Sequence, residues 1–279
     1  MATLRQKQQY FVFVHGAQHG AWCWFKTIEL LEQAGHLTKA VDLVSAGDSS
    51  VNADDVECFD HYNQPLYEVL ESLGTNQKVI LVCHSMGGTT VARACERYPL
   101  RIHVAVYIAG AMLKSGMSQS ENHDEVFRET SKDAQFHFGK GEQNPPTSCW
   151  PSLEIVTKAY YNLCSSEDIQ FAAKRLGGVP IMCDDATIFT ANYHSVPRVY
   201  IRTSFDKAIA PHFQDRAWKY HVTYAMKEQL WSILEPPKDN KKSQELNYKN
   251  QEAIINILVY SIRLDLLGNL ISFHDPKSL

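Results

Sequence analysis

The chain has 279 residues, 44% of them hydrophobic and 21% charged, with a formal net charge of −4. That length holds one large α/β domain, or one domain carrying an insertion. The acidic balance offers no basic face for nucleic acid, and no apolar run reaches the roughly 18 residues of a membrane span.

Seven cysteines, an odd number without CxxC spacing, predict neither a disulfide framework nor a zinc site. The N-terminus runs into a strand without an apolar leader, so a reducing, cytoplasmic location is expected.

Residues 10–14 (Tyr-Phe-Val-Phe-Val) read as a short buried strand, followed by a turn, His15-Gly16-Ala17. Residues 22–34 have helical spacing, with Trp22, Phe25, Ile28 and Leu31 on one face, and stop at Gly35. A strand is predicted over 38–43, a loop over 45–50 and a helix over 59–73. Residues 79–83 are all apolar and run through His84 and Ser85 into a helix over 89–97. Another apolar strand covers 102–109. Strands alternating with helices at this spacing indicate βαβ units and a parallel sheet buried on both faces.

The rhythm breaks near Met112. Residues 113–190 are polar and punctuated by Pro and Gly, with helical pieces over 153–163 and 167–176. They read as an insertion over the sheet rather than another strand layer, of the kind used as lids or binding caps. The sheet resumes with a strand over 197–201 and a loop bearing Asp206, followed by a helix over 212–217. A helical pattern over 226–234 precedes a Lys- and Asn-rich stretch and a final apolar helix over 253–267.

The chemistry centres on Ser85. Strand, sharp turn and helix expose its hydroxyl at the top of a sheet, and the helix aims its first N–H groups at incoming negative charge. Cys83 stands where the first Gly of G-x-S-x-G is expected; strand and helix pass close there, and Cys is small enough to fit. A serine hydroxyl attacks only when a base takes its proton and a third group orients that base. The order on such a sheet is Ser, acid, His, each after a strand. Asp206 fits the acid. An isolated loop Asp is ordinarily a turn or cap residue, but its order and strand context here favour catalysis. The N–H groups of Met86 and Ala17 are the candidate oxyanion donors. His212, His221 and His274 follow Asp206; His221, before the 226–234 pattern, is the best placed, although only about fifteen residues separate it from Asp206.

With these residues in hand, the chain resembles the plant methylesterase and hydroxynitrile lyase family of α/β-hydrolases. The similarity is carried by residues 11–24, 35–43, 78–88, 146–148 and 196–209, and spans roughly 9–215. It implies an α/β-hydrolase fold, a mostly parallel doubly wound sheet with an inserted cap. The core then comprises 1–112 and 191–240, the cap 113–190, and an atypical tail 241–279. The implied function is that of a serine carboxylesterase for methyl esters of small, hormone-like acids, such as methyl salicylate, methyl jasmonate or methyl indole-acetate. Gly16 and His84 would contact the substrate. No metal or organic cofactor is implied. The expected partner is a small-molecule ester, with no nucleic acid or membrane, and a homodimer is left open.

Lyase members carry Thr after the first-loop His, an acidic residue before the nucleophile, and Lys after the catalytic His. Here these positions are Gly16, His84 and Val222, and all three favour an esterase. Beyond Gln214 the chain departs from the family pattern, and two alignments compete. One reads 222–234 as the last strand and loop, losing the catalytic His to Gln229 or Leu230. The other pairs His221 with that His and leaves out the last strand; it recovers a His and a helix together and is the one adopted. The alternative function is a catalytically impaired, ligand-binding relative whose catalytic His is lost or displaced, with a hydroxynitrile lyase ranked third.

Overall fold

The computed structural model describes residues 8–119, 121, 134–182, 186–219 and 224–226. Five apolar residues form β1 (Tyr10–Val14), which pairs in parallel with both β2 (Leu37–Val41) and β3 (Val79–His84). Next to β3 lies β4 (Ile102–Ile108). The segment 134–182 holds three short strands, β5 (Gln135–His137), β6 (Ser148–Trp150) and β7 (Val179–Pro180). The main sheet then continues with β8 (Arg198–Ile201) and β9 (Tyr224–Met226), giving the order β2-β1-β3-β4-β8-β9 with every pair parallel.

Side-chain alternation explains why the sheet is covered on both sides. Phe11, Phe13, Ile80, Val82, Val104, Val106 and Val199 share one apolar cluster with Trp24 and Leu31, the latter on helix α1 (Phe25–Gln33). Val12, Val14, Leu81, Cys83, Ala105, Tyr107 and Tyr200 belong to the other. Their partners come from α3 (Gln64–Glu71), which follows the single turn α2 (Phe59–Tyr62), and from α4 (Gly87–Arg97).

Three expectations need correction. The helix expected over 59–73 is two helices, broken at Asn63. Pro65 has no N–H to continue the ladder, and the N–H groups of Leu66 and Tyr67 both turn back to the Asn63 carbonyl. The buried Asn63 side chain is then free to bond the Tyr67 hydroxyl at 3.2 Å and Thr90 Oγ1 of α4 at 2.8 Å. Second, the region expected to lack a strand layer carries the antiparallel sheet β5-β6-β7; its strands are two or three residues long, too short for a period-2 pattern to show. Third, the last strand is not missing: β9 pairs with Val199–Ile201 of β8. His221 lies outside the described residues.

Among the described residues no helix is long and apolar enough to cross a membrane, and the six described cysteines are free thiols. Leu81, buried at the centre of β3, gives a direct test of the packing. Leu81→Ala is expected to cost about 2–5 kcal/mol of unfolding free energy, by lost transfer energy and the cavity left behind, read from the denaturant midpoint.

Candidate active site

β1 connects outward to β2 on one side, whereas β3 lies on the other side of β1 and connects to β4, so the strand order reverses between β1 and β3. In open α/β sheets, ligands bind outside the carboxyl ends of the strands at such a point. The residues that leave β1 and β3 there are His15-Gly16-Ala17 and Ser85.

Ser85 has φ +51, in the left-handed region that non-glycine residues rarely occupy. Its backbone is pinned from three directions. Its N–H donates to Ile108 O at 3.4 Å, and its carbonyl accepts from the N–H groups of Gly88 at 3.0 Å and Ala111 at 2.8 Å. Two glycines make the approach of the two loops workable. A Cβ at Gly16 would come within 2.9 Å of Ser85 Cβ and 3.1 Å of His84 Nδ1, and one at Gly87 would collide with the carbonyl oxygens of His15 and Val14. Gly16, His84 and Ser85 are therefore brought together. Cys83, one strand position earlier, is buried with its Sγ 3.5 Å from Val106 O on β4, so the small thiol is accommodated where a glycine was expected.

The first loop is held by buried histidines whose tautomers follow from their partners. Leu43 N–H donates to His15 Nε2 at 3.1 Å, so Nδ1 carries the proton and donates to Gly16 O at 2.8 Å. Gly16 O also accepts from His19 N–H at 3.4 Å. A trans peptide sets C=O and N–H on opposite sides, so the Ala17 N–H is directed away from His15. Met86 caps the start of α4, where the leading N–H groups have no intrahelical partner. Burial pushes His15, His19 and half-buried His84 down to about 4, with mutual repulsion among them adding to the effect. Both ring nitrogens of His15 and of His19 are engaged. Neither is free to act as a base.

Asp206 follows β8 at the same edge of the sheet as Ser85. Its Oδ1 accepts the N–H groups of Ala208 and Ile209, each at 2.8 Å. Its Oδ2 accepts Thr203 Oγ1–H at 2.8 Å and, more distantly, Gln214 Nε2 at 3.4 Å. Burial raises the carboxyl pKa, and the hydrogen bonds pull it back. With Oδ1 filled by two donors, a further donor would be received on Oδ2. Thr203 and the buried Gln214 were missed by sequence reasoning. Gln214 also bonds Thr203 N–H at 2.8 Å and Ile209 O at 2.7 Å, closing the Asp206 loop. A polar residue on the buried face of the helix Pro211–Lys219 was the available signal. Among the described residues, no group of three or more His, Cys, Asp or Glu is arranged to hold a metal.

Two outcomes check this geometry. Ser85→Gly should be more stable than Ser85→Ala by about 1 kcal/mol in chemical denaturation, because only Ala keeps a Cβ at positive φ. The second concerns acid. The folded-state value of His15, about 4, lies below that of an unfolded histidine, near 6.5. Between the two the unfolded chain binds the extra proton, so stability is full above pH ~6.5 and falls as pH drops toward 4. The His15 share of that loss is about 3 kcal/mol, measurable as denaturant midpoints across the interval.

Comparison with known proteins agrees with this arrangement. The profile described as "Alpha/beta hydrolase family" matches residues 11–232. The chain is 37% identical over 226 residues to a pheophorbidase of Raphanus sativus, covering 78% of this chain and 86% of that protein. It is 35% identical to methyl jasmonate esterase 1 of Vitis vinifera, with 76% and 84% coverage. The crystal structure of the methylesterase protein MES16 from Arabidopsis superposes with a TM-score of 0.69 at 32% identity, covering 79% of this chain and 90% of that one. Strand order, the Ser85 turn and these similarities agree: the chain belongs to the α/β-hydrolase family, within its plant methylesterase-like group of carboxylic-ester hydrolases.

Proposed function

We propose that this protein hydrolyses methyl esters of small carboxylic acids, with acids of the salicylic, jasmonic or indole-acetic type as the substrate class. The observation that carries the reading is Ser85 at φ +51 on the strand–turn–helix between β3 and α4, set in a chain whose relatives include methylesterases. Ser85 Oγ attacks the ester carbonyl. Its proton passes through the base to the leaving methoxide, releasing methanol. The N–H groups of Ala17 and Met86 hold the developing oxyanion, each such donor contributing about 3 kcal/mol. Water, deprotonated by the same base, then frees the acid and regenerates Ser85. Asp206 orients the base and stabilises its protonated form. The base is assigned to His221. Gly16 and His84, packed against Ser85, line the substrate side. Residues 113–190 act as the cap, and the free described cysteines fit a reducing, cytoplasmic setting.

A second reading has its own observation. β9 runs parallel to β8, so its carboxyl end shares the sheet edge of Ser85 and Asp206, and a catalytic histidine belongs after Met226. His221 precedes β9 in the chain, and the next histidine is His274. On this reading the protein keeps the pocket and binds small esters or acids without turnover. Loss of the base from a serine triad costs about 10⁶-fold in kcat.

The two are separated with an activated short-chain ester and an organophosphonate probe, applied to the wild type, Ser85→Ala and His221→Ala. The hydrolase reading expects turnover and labelling in the wild type, neither in Ser85→Ala, and turnover reduced by several orders of magnitude in His221→Ala. Wild-type protein that behaves like Ser85→Ala overturns it and leaves the binding reading. Full activity in His221→Ala moves the base to another residue.

A further inference from the structure

Two neighbouring residues of the first loop are held by two neighbouring tyrosines from the segment above the sheet. The one-turn helix Leu153–Ile155 runs into a π-helical turn, Val156–Tyr160, closed by Tyr161 N–H donating to Val156 O at 2.9 Å. A π turn inserts one extra residue per turn and shifts side chains around the axis, and such turns concentrate at functional sites. Here Tyr160 and Tyr161 both reach the first loop. The Tyr160 hydroxyl donates to Gln18 Oε1 at 2.9 Å, and the Tyr161 hydroxyl lies 2.9 Å from His19 Nε2. Gln18 is itself buried at φ +66, and its carbonyl accepts Gly177 N–H at 2.9 Å.

The direction of the Tyr161 bond can be deduced. His19 Nδ1 lies 2.8 Å from Ala17 O, which can only accept, so Nδ1 carries the proton. Burial keeps the ring neutral near pH 7, so Nε2 is a lone pair and the Tyr161 hydroxyl donates to it. Burial also raises the Tyr161 pKa, which keeps its proton in place. The chain of donors runs Tyr161 O–H to His19 Nε2, then His19 Nδ1–H to Ala17 O. On the other side of Ala17, His15 Nδ1–H grips Gly16 O. The two peptide planes that flank Ala17 are therefore each anchored by a buried histidine, and one anchor is set from outside the sheet.

We infer that Tyr161 is a positioning residue: by holding the His19 ring it holds the Ala17–Gln18 peptide, the neighbour through the Ala17 Cα of the Gly16–Ala17 peptide whose N–H serves the Ser85 site. Its kinetic consequence rests on the ester-hydrolysis reading. Removing the Tyr161 hydroxyl leaves the His19 ring held on its Nδ1 side alone, and its grip on Ala17 O slackens. The oxyanion donor drifts while the space that binds substrate keeps its shape.

The test is Tyr161→Phe in the full chain, with kcat and KM for the activated ester, thermal unfolding to confirm the fold, and ¹⁵N NMR of the His19 ring at neutral pH. The expected result is a kcat lower by about tenfold with KM within about twofold, and a His19 Nε2 resonance moved to that of a nitrogen without a donor, the proton staying on Nδ1. Unchanged kcat, or a fall in kcat with the His19 Nε2 resonance unmoved, overturns the inference. If the wild type shows no turnover, the hydrolase reading has failed separately. The Nε2 resonance then decides alone: a shift in Tyr161→Phe supports Tyr161 as the residue that holds the His19 ring, and no shift overturns it.

Discussion

The crossing of the β1 loop over the start of α4 is the constraint on which the site depends. Gly16 lies against Ser85, and Gly87 lies under the carbonyl oxygens of Val14 and His15. A side chain at either position would push the two loops apart. With both absent, the N–H of Ala17, leaving β1, and that of Met86, leading α4, belong to loops in direct contact. Ser85 at positive φ is the cost of the same crossing, since the chain must turn from strand to helix within one residue. Three backbone hydrogen bonds at Ser85 from β4, Gly88 and Ala111 over-determine that conformation.

Around this crossing, polar groups are buried in a form that is neutral or fully bonded. His15 and His19 each use one nitrogen to donate and the other to accept. Burial suppresses their protonation and that of His84, which avoids three like charges around the Ser85 turn. Asp206 is treated differently. It keeps four hydrogen-bond donors, two of them backbone N–H groups; burial still raises its pKa, and the bonds from Ile209, Thr203 and Ala208 counter part of that rise.

Much of this was legible without coordinates. Phe11, Val12, Phe13 and Val14, like Val79 to Cys83, are continuous apolar runs because both faces of a parallel sheet are covered. Ser85 and Asp206 were singled out as candidates by their order and strand context. The break at Asn63 could have been read from Pro65. The strands β5, β6 and β7 could not, because two or three residues leave no period to detect. β9 was expected to be absent, because the adopted alignment pairs His221 with the catalytic histidine and leaves out the last strand; its three residues pair with β8 through a partner distant in sequence.

The sequence by itself determined the strand–helix alternation, the nucleophile candidate at Ser85 and the acid candidate at Asp206, because these follow from local patterns of apolar residues and turns. Only the tertiary structure decided which polar groups meet. The contacts of Tyr160 with Gln18 and of Tyr161 with His19 join positions 142 residues apart, and Gln214 reaches Asp206 by folding a helix back over its loop. The protonation of His15 and His19 likewise belongs to the folded state. A histidine in sequence has two equivalent tautomers, and burial with one donor and one acceptor at fixed positions selects between them.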